Sequence, residues 1–354
     1  MKNNIISAGA TMHDALQHLN ELSGNAMTLF VVDHDGRMIG TLTDGDVRRG
    51  LLAGVGLSDT VSRAVNRNFC SISGEICAST VEALRTFRER GIFLIPRLDV
   101  DGRIVEIINL HITPNRLPLK ALLMAGGKGE RLRPMTLTCP KPLLKLEGKA
   151  IIDYNIELLS AVGITDITVA TKYLAEQFFD HFATPVAGVN VKCVCETDAI
   201  GTIGAASLID WPREGSSIVM NSDIITSISF EEMYLRHIES NADITIGVVP
   251  YQVAVPFAIL RTEGDRVVAL EEKPTYSHYA NGGIYIIKNE VLSTVKPNQH
   301  TDAPELIEQV IALGGKVTYF PIKGSWIDVG SPADFRQASE LMRHHRNFAQ
   351  QSPL

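Results

Sequence analysis

Residues 121–142 read Ala-Leu-Leu-Met-Ala-Gly-Gly-Lys-Gly-Glu-Arg-Leu-Arg-Pro-Met-Thr-Leu-Thr-Cys-Pro-Lys-Pro. The apolar run Ala121 to Ala125 predicts a buried strand. Gly126, Gly127 and Gly129 follow it, then Arg131, Arg133 and Lys141, the last held between two prolines. Glycines let backbone N–H groups approach an anion without a Cβ in the way, and the cationic side chains add charge where a polyphosphate would lie. The stretch is therefore expected to be a phosphate-handling loop at the carboxyl end of a strand, where open α/β sheets bind ligands. It is not a P-loop, because no Gly-Lys-Ser/Thr follows at the required spacing. A dinucleotide fingerprint is excluded too, since its third glycine is missing.

Outward from this loop, short apolar runs alternate with helical periodicity. Strands are expected over 119–124, 166–170, 189–195 and 216–220, with helices over 151–162, 173–182 and 202–209 between them. That is the pattern of an α/β, Rossmann-like doubly wound sheet, here a mixed one. Beyond about residue 243 strands dominate (243–249, 257–261, 266–271 and 282–287), and a helix over 332–345 closes the pattern. Toward the N-terminus, Thr113-Pro114-Asn115-Arg116-Leu117-Pro118 reads as a linker, dividing the chain into domains at 1–116 and 119–345.

The N-terminal third contains a repeat. Asp33-His-Asp-Gly-Arg-Met-Ile-Gly-Thr-Leu-Thr43 aligns with Asp99-Val-Asp-Gly-Arg-Ile-Val-Glu-Ile-Ile-Asn109 at an offset of 66 residues. Each copy is a polar Asp-Gly turn before an apolar strand, preceded by an amphipathic helix and another apolar run. A unit of helix, strand, turn, strand and helix, present twice, predicts an α+β domain of two half-domains packed face to face.

The loop at 126–142 resembles the signature of the sugar-1-phosphate nucleotidyltransferases, Gly-Gly-x-Gly-x-Arg-Leu-x-Pro-x-Thr followed by Pro-Lys-Pro, and all ten fixed positions are met. Three further segments carry the same resemblance: Glu196-Thr-Asp-Ala-Ile-Gly-Thr-Ile-Gly, Glu272-Lys-Pro, and Trp326-Ile-Asp-Val-Gly330. The resemblance implies transfer of a nucleotidyl group: a sugar phosphate oxygen attacks the α-phosphorus of a nucleoside triphosphate and pyrophosphate leaves. Such chemistry needs no enzyme nucleophile, only positioning and charge neutralisation. It implies that Gly126, Gly127 and Gly129 cradle phosphates, that Lys141 lies against the α-phosphate or pyrophosphate, and that Arg131 neutralises the β- and γ-phosphates. Asp223, after the strand Val219-Met-Asn-Ser, and Asp328 are the implied Mg²⁺ ligands, hard oxygens for a hard cation. Ser222 stands where relatives have glycine. Gly201 and Thr202 would border base and ribose, and Glu272 would accept from sugar hydroxyls. Lys273 would pair with the sugar phosphate, Asn281 would contact the sugar, and Gly283 would allow close approach. An ionised Glu196 is acceptor-only and suits guanine, which offers two donors on one edge, so GTP is favoured.

The repeat resembles a tandem CBS pair. The first copy carries Thr43-Asp-Gly-Asp46, positions that in such modules hold the ribose of an adenine nucleotide; the second has Asn109 and Ile112 instead. An adenine nucleotide at Thr43 and Asp46, or a packing module with no ligand, are both open. The mannose-1-phosphate guanylyltransferase-like branch looks nearest, which implies a hexose 1-phosphate as co-substrate and a role in surface glycan or nonulosonic-acid biosynthesis. A uridylyl- or thymidylyltransferase is the alternative within the class. An idle nucleotide-sugar sensor is the alternative outside it, and predicts loss of Lys141, Asp223 or Asp328, all of which are present.

Composition sets the remaining bounds. Hydrophobic residues make up 45% and charged residues 21%, ordinary for a globular chain, and the net charge of −7 argues against a nucleic-acid surface. No apolar run is long enough for a membrane span, and Met-Lys-Asn-Asn-Ile-Ile-Ser lacks a signal core, so a cytoplasmic protein with no membrane partner is expected. The five cysteines show no paired framework, so reduced thiols are expected. CBS pairs and this family commonly self-associate, which implies a homo-oligomer.

Overall fold

The computed structural model describes residues 4–22, 27–196 and 200–351, with side chains through His344. The chain forms two compact units: Met1–Leu117 with Ala161–Gly163, and Pro118–Ser160 with Ile164–Leu354. Among the described residues no helix is long and apolar enough to cross a membrane, and all five cysteines are unpaired.

The first unit contains β1 (Ile5–Ser7), α1 (Met12–Glu21), β2 (Thr28–Val32), β3 (Met38–Thr43), α2 (Asp44–Leu52), β4 (Ile72–Ser73), α3 (Ala78–Glu89), β5 (Leu94–Leu98) and β6 (Ile104–Asn109). They form two three-stranded sheets, β1-β2-β3 and β4-β5-β6, each a parallel pair followed by an antiparallel one. The repeat is visible in its turns. Asp33 Oδ1 accepts from the N–H groups of Asp35 and Arg37, and Asp99 Oδ1 does the same for Asp101 and Arg103. Gly36 and Gly102 both take φ +79°, a conformation that glycine adopts without strain. The half-domains meet face to face over buried Phe30, Met38, Leu98 and Ile107. The copies differ in one respect from the expected repeat: residues 110–117, directly after β6, form no helix. The N–H groups of Ile112 and Thr113 both turn back to the carbonyl of Asn109, and Pro114, which has no N–H to give, stops propagation there.

The second unit runs β7 (Lys120–Ala125), β8 (Lys145–Leu146), β9 (Lys149–Ala150), α4 (Ile151–Ala161), β10 (Ile167–Thr171), α5 (Ala175–His181), β11 (Lys192–Cys195) and β12 (Ser216–Asn221). It continues with β13 (Ile224–Thr226), α6 (Phe230–Ser240), β14 (Ile244–Ala254), β15 (Ile259–Glu263), β16 (Arg266–Glu271) and β17 (Thr275–Lys288). Last come α7 (Asn289–Leu292), α8 (Ala303–Ala312), β18 (Val317–Pro321), β19 (Trp326–Asp328) and α9 (Pro332–Gln351). Seven strands form one mixed sheet in the order β11-β10-β7-β12-β17-β14-β18. β11, β10, β7 and β12 are mutually parallel, so their carboxyl ends, and the loops that leave them, lie along one edge. Helices on the faces explain why β10 is buried at every position and β12 at all but its last.

Two departures from expectation have local causes. Residues 202–209 hold a 3₁₀ turn over Gly204–Leu208 in place of an α-helix. The Ala206 N–H bonds to the Ile203 carbonyl three residues back, the 3₁₀ pattern, the Thr202 and Ile203 N–H groups are held by Asp302 and Thr301, and Gly204 carries the helix penalty of glycine. β14 and β17 also run beyond the sheet, to Ala254 and from Thr275, as an exposed ribbon with the β15–β16 hairpin at its end.

Candidate active site

The glycine loop leaves β7 at Ala125. Gly129 sits at φ +62°, and a Cβ there would come within 3.0 Å of the Thr136 side chain and 3.1 Å of the Lys141 Cβ. Thr136 Oγ1 donates to the Gly129 carbonyl at 2.8 Å and closes the loop on itself. That closure turns Lys141 inward: it is one of the few buried charged side chains among the described residues. Its ammonium lies 2.5 Å from Asp223 Oδ2 and 3.2 Å from Asp328 Oδ1.

The two aspartates are far apart in sequence and are joined by a short ladder. β13 pairs antiparallel with β19, so that Ile224 faces Asp328, and the Val329 N–H donates to the Asp223 carbonyl at 3.1 Å. The Trp326 indole N–H donates to the Gly282 carbonyl at 2.9 Å, which fixes β19 to β17. On the other side, buried Ser222 donates its hydroxyl to the Met124 carbonyl at 2.6 Å and its N–H at 3.2 Å, while Asn155 of α4 donates to the Ser222 carbonyl. The serine that replaces glycine thus ties the Asp223 turn to the end of β7. Sequence reading assigned no role to Ser222 or Asn155; the available signal for Asn155 was a polar residue on an otherwise apolar helix face.

Two cavities share Met124, Gly127 and Asp223. The first, about 380 Å³, is lined by Gly127, Gly129, Arg131, Lys141, Asp223 and Gly330 among others. Arg131 reaches over Gly330, where a Cβ would meet its guanidinium at 3.1 Å. The second, about 370 Å³, is lined by Gly126, Lys172, Glu196, Gly201, Thr202, Asn221 and Asp302 among others. The Glu196 carboxylate lies against Gly126, where a Cβ would sit 3.2 Å from one of its oxygens. Burial pushes the Glu196 carboxyl above its ordinary range, and the charge of Lys172 opposes that rise. Gly201 takes φ +85°, and a Cβ there would be 2.3 Å from the Thr301 carbonyl oxygen. Thr202 accepts from the Ala303 N–H and donates its own N–H to Asp302, locking the loop to the start of α8.

The structure therefore gathers Gly126, Gly127, Gly129, Arg131, Lys141, Glu196, Gly201, Thr202, Asp223 and Asp328 around one cleft. Four expected substrate contacts lie outside these cavities. Glu272 and Lys273 are exposed between β16 and β17 and line neither cavity. Asn281 is exposed and its side-chain oxygen accepts from the Gly283 N–H at 2.9 Å. Gly283, at φ +68°, allows close approach of the Asn221 side chain, 2.5 Å from where its Cβ would be; the neighbour it admits is protein. In the first unit, Thr43 and Asp46 cap α2 reciprocally, and Asp46 Oδ1 accepts from Arg49 at 2.6 Å.

Which elements could serve which chemistry follows from the donor set. Asp223 and Asp328 both reach a single cation now supplied by Lys141, so the pair fits a hard divalent ion between carboxylate oxygens. Arg131 and the loop N–H groups supply positive potential beside it, and Glu196 supplies hydrogen-bond acceptors in the adjoining cavity.

Comparison with known proteins agrees with this geometry. Residues 120–345 match the family model described as nucleotidyl transferase, and residues 2–53 match the CBS domain model. A mannose-1-phosphate guanyltransferase of Kluyveromyces lactis is 34% identical over 251 residues, covering 63% of this chain and 64% of its own length. The mannose-1-phosphate guanyltransferase of Schizosaccharomyces pombe is 33% identical over 230 residues, covering 61% and 62%. The chain thus spans less than two thirds of the length of these curated relatives. A solved structure of a putative glucose-1-phosphate thymidylyltransferase from Bacillus anthracis shares the fold with a TM-score of 0.50 and 23% identity, over 64% of this chain and 95% of its own.

Proposed function

This chain belongs to the nucleotidyl transferase family, and on that footing we propose that it transfers a guanylyl group from GTP to a hexose 1-phosphate, releasing pyrophosphate. The observation that carries this reading is the Lys141 ammonium held between Asp223 and Asp328 beside the glycine loop. In this reading the N–H groups of Gly126, Gly127 and Gly129 and the Arg131 guanidinium bind the triphosphate, and Lys141 stabilises negative charge gathering on the phosphate oxygens during displacement. Asp223 and Asp328 hold Mg²⁺, which when bound polarises the α-phosphate. The Ser222 and Asn155 tethers keep Asp223 in place, so that the site is preorganised rather than assembled by substrate.

Glu196 favours guanine because its carboxylate can accept from both N1–H and the N2 amine. Mannose 1-phosphate is the first hexose phosphate to try, since relatives are named for its guanylyl transfer. The roles of Glu272, Lys273 and Asn281 toward the sugar rest on their sequence motifs alone. The N-terminal domain, residues 1–116, acts as an accessory module; an adenine nucleotide there would have to compete with Arg49 for the Asp46 carboxylate.

The test is pyrophosphate release with Mg²⁺ across GTP, UTP, dTTP, CTP and ATP, each against a panel of hexose 1-phosphates. GTP turnover that disappears in Asp223→Asn is the expected result. Turnover confined to another triphosphate would discard the guanine reading and keep the class.

A further inference from the structure

We infer that Lys172 is a specificity-determining residue that donates to the O6 acceptor of guanine, beside Glu196. The assignment rests on the guanylyl reading above and adds a second group to base recognition. Its ground is the sheet register. Thr171, the last residue of β10, is paired on one side with Cys195 of β11 and on the other with Ala125 of β7. The next residue of each strand is Glu196, Lys172 and Gly126, so the three stand at one level across adjacent strands, and all three line the same cavity. Asp223, at the phosphate end, leaves β12 on the far side of β7. Lys172 is thus placed at the Glu196 end of the cleft, two strands away from the strand that delivers Asp223.

Neither charge is used up by the protein. Among the described residues no ion pair joins Lys172 to Glu196 and no hydrogen bond satisfies either head group, although the charge of Lys172 is felt at the carboxylate. A half-buried carboxylate and a half-buried lysine that line one cavity, neither held by a protein hydrogen bond, leave an acceptor and a donor available to a ligand. Guanine completes both. Its N2 amine and N1–H donate in succession along one edge, and O6 follows as an acceptor. A carboxylate next to an ammonium is the complementary row: acceptor, acceptor, donor. Adenine would present an amine to the ammonium and a lone pair at N1 to the carboxylate, both repulsive. Uracil and thymine would give the carboxylate one donor and turn a carbonyl toward its second oxygen.

The experiment compares kcat/KM for GTP, 6-thio-GTP and ITP with the full-length enzyme. Sulfur at position 6 is a poor acceptor while N1–H and the N2 amine remain; inosine keeps O6 and N1–H and lacks the amine. Lys172→Met should lower kcat/KM for GTP by about 10- to 100-fold, the worth of a charge-assisted hydrogen bond, and should lower it for 6-thio-GTP far less. The GTP to ITP ratio should stay at the unmutated value, because the amine is read by Glu196. Lys172→Arg, which keeps a cationic donor, should restore most of the GTP preference over 6-thio-GTP. Equal losses for GTP and 6-thio-GTP in Lys172→Met would overturn the assignment and point to a phosphate contact or a packing role. An unmutated enzyme that turns over only a non-guanine triphosphate would overturn the guanine reading itself, a result distinct from the one that removes Lys172 alone.

Discussion

Replacing Lys141 by methionine keeps the length and apolar stem of the side chain and deletes the ammonium between Asp223 and Asp328. Breaking a fully buried ion pair from one side costs about 3–5 kcal/mol, because the remaining charge is stranded. Here the Lys141 side chain is 9% exposed, but those of Asp223 and Asp328 are 24% and 42% exposed, so solvent screens part of the loss. A destabilisation of about 1–3 kcal/mol is expected, together with a loss of at least ~100-fold in turnover from the missing phosphate contact. The two tryptophans, Trp211 and Trp326, both lie in the second unit, so their fluorescence during urea unfolding reports that unit alone. With a urea slope of about 2–3 kcal/mol per molar, the midpoint should fall by roughly 0.5–1 M. Millimolar Mg²⁺ should recover much of that shift in Lys141→Met and raise the unmutated protein less, since a cation can then take the ammonium's place between the two carboxylates. A variant as stable as the parent, or one whose midpoint responds to Mg²⁺ no more than the parent's, would refute the view that the three side chains form one charge-balanced unit.

Three further outcomes follow from the same geometry. Gly201→Ala forces a left-handed residue and a Cβ 2.3 Å from the Thr301 carbonyl oxygen, so the second unit should lose about 2–4 kcal/mol in the same urea assay; no loss would mean the 201–202 loop is free to move. Burial raises the folded pKa of Glu196 above its ordinary value of 4.5, so folding favours its protonated form and the penalty grows as pH rises through that range. Glu196→Gln should therefore match the parent in stability below about pH 4.5 and exceed it at neutral pH, while losing GTP turnover; equal stability at all pH values would argue against a half-buried, unpartnered carboxylate. His237 donates to or accepts from Ser216 and Thr245 at 2.9 and 2.8 Å, and burial, then the nearby Lys288 charge, push its pKa from 6.5 down to about 4 against the opposing pull of Asp243. The unfolded chain takes up that proton first, so stability present above pH 6.5 is lost as pH falls toward 4, by about 3 kcal/mol; His237→Gln should flatten this part of the pH profile, and an unchanged slope would assign it to other groups.

Much of the cleft was legible in the sequence because its parts follow strand ends in fixed local patterns. Gly126 to Lys141, Asp223 and Asp328 each carry their signal within a few neighbours, and the apolar runs before Gly126 and Asp223 mark the strands that deliver them. The turns at Asp33 and Asp99 were legible for the same reason: an Asp-x-Asp-Gly turn is closed by its own side chain. What escaped was tertiary. Ser222 and Asn155 act through carbonyls 98 and 67 residues away along the chain, and no spacing rule reports that. Lys172 has no pattern around it; only the register of β10 with β7 and β11 places it level with Glu196. The segment expected as a helix over 202–209 is a 3₁₀ turn whose start is tied to Thr301 and Asp302, a hundred residues on, a constraint no local spacing reports. The missing helix of the second repeat was foreshadowed by Pro114, since the pattern of the first copy was carried over to a segment that proline interrupts.

Group transfer at the cleft between Lys141, Asp223 and Asp328 is open to ³¹P NMR of the enzyme with GTP, mannose 1-phosphate and Mg²⁺. Inorganic pyrophosphate and a sugar diphosphodiester should appear in equal amounts as the sugar phosphate monoester disappears, and neither should form with Asp223→Asn. Release of GDP and phosphate with the sugar phosphate unchanged, or an Asp223→Asn spectrum equal to that of the parent, would rule out guanylyl transfer at this cleft.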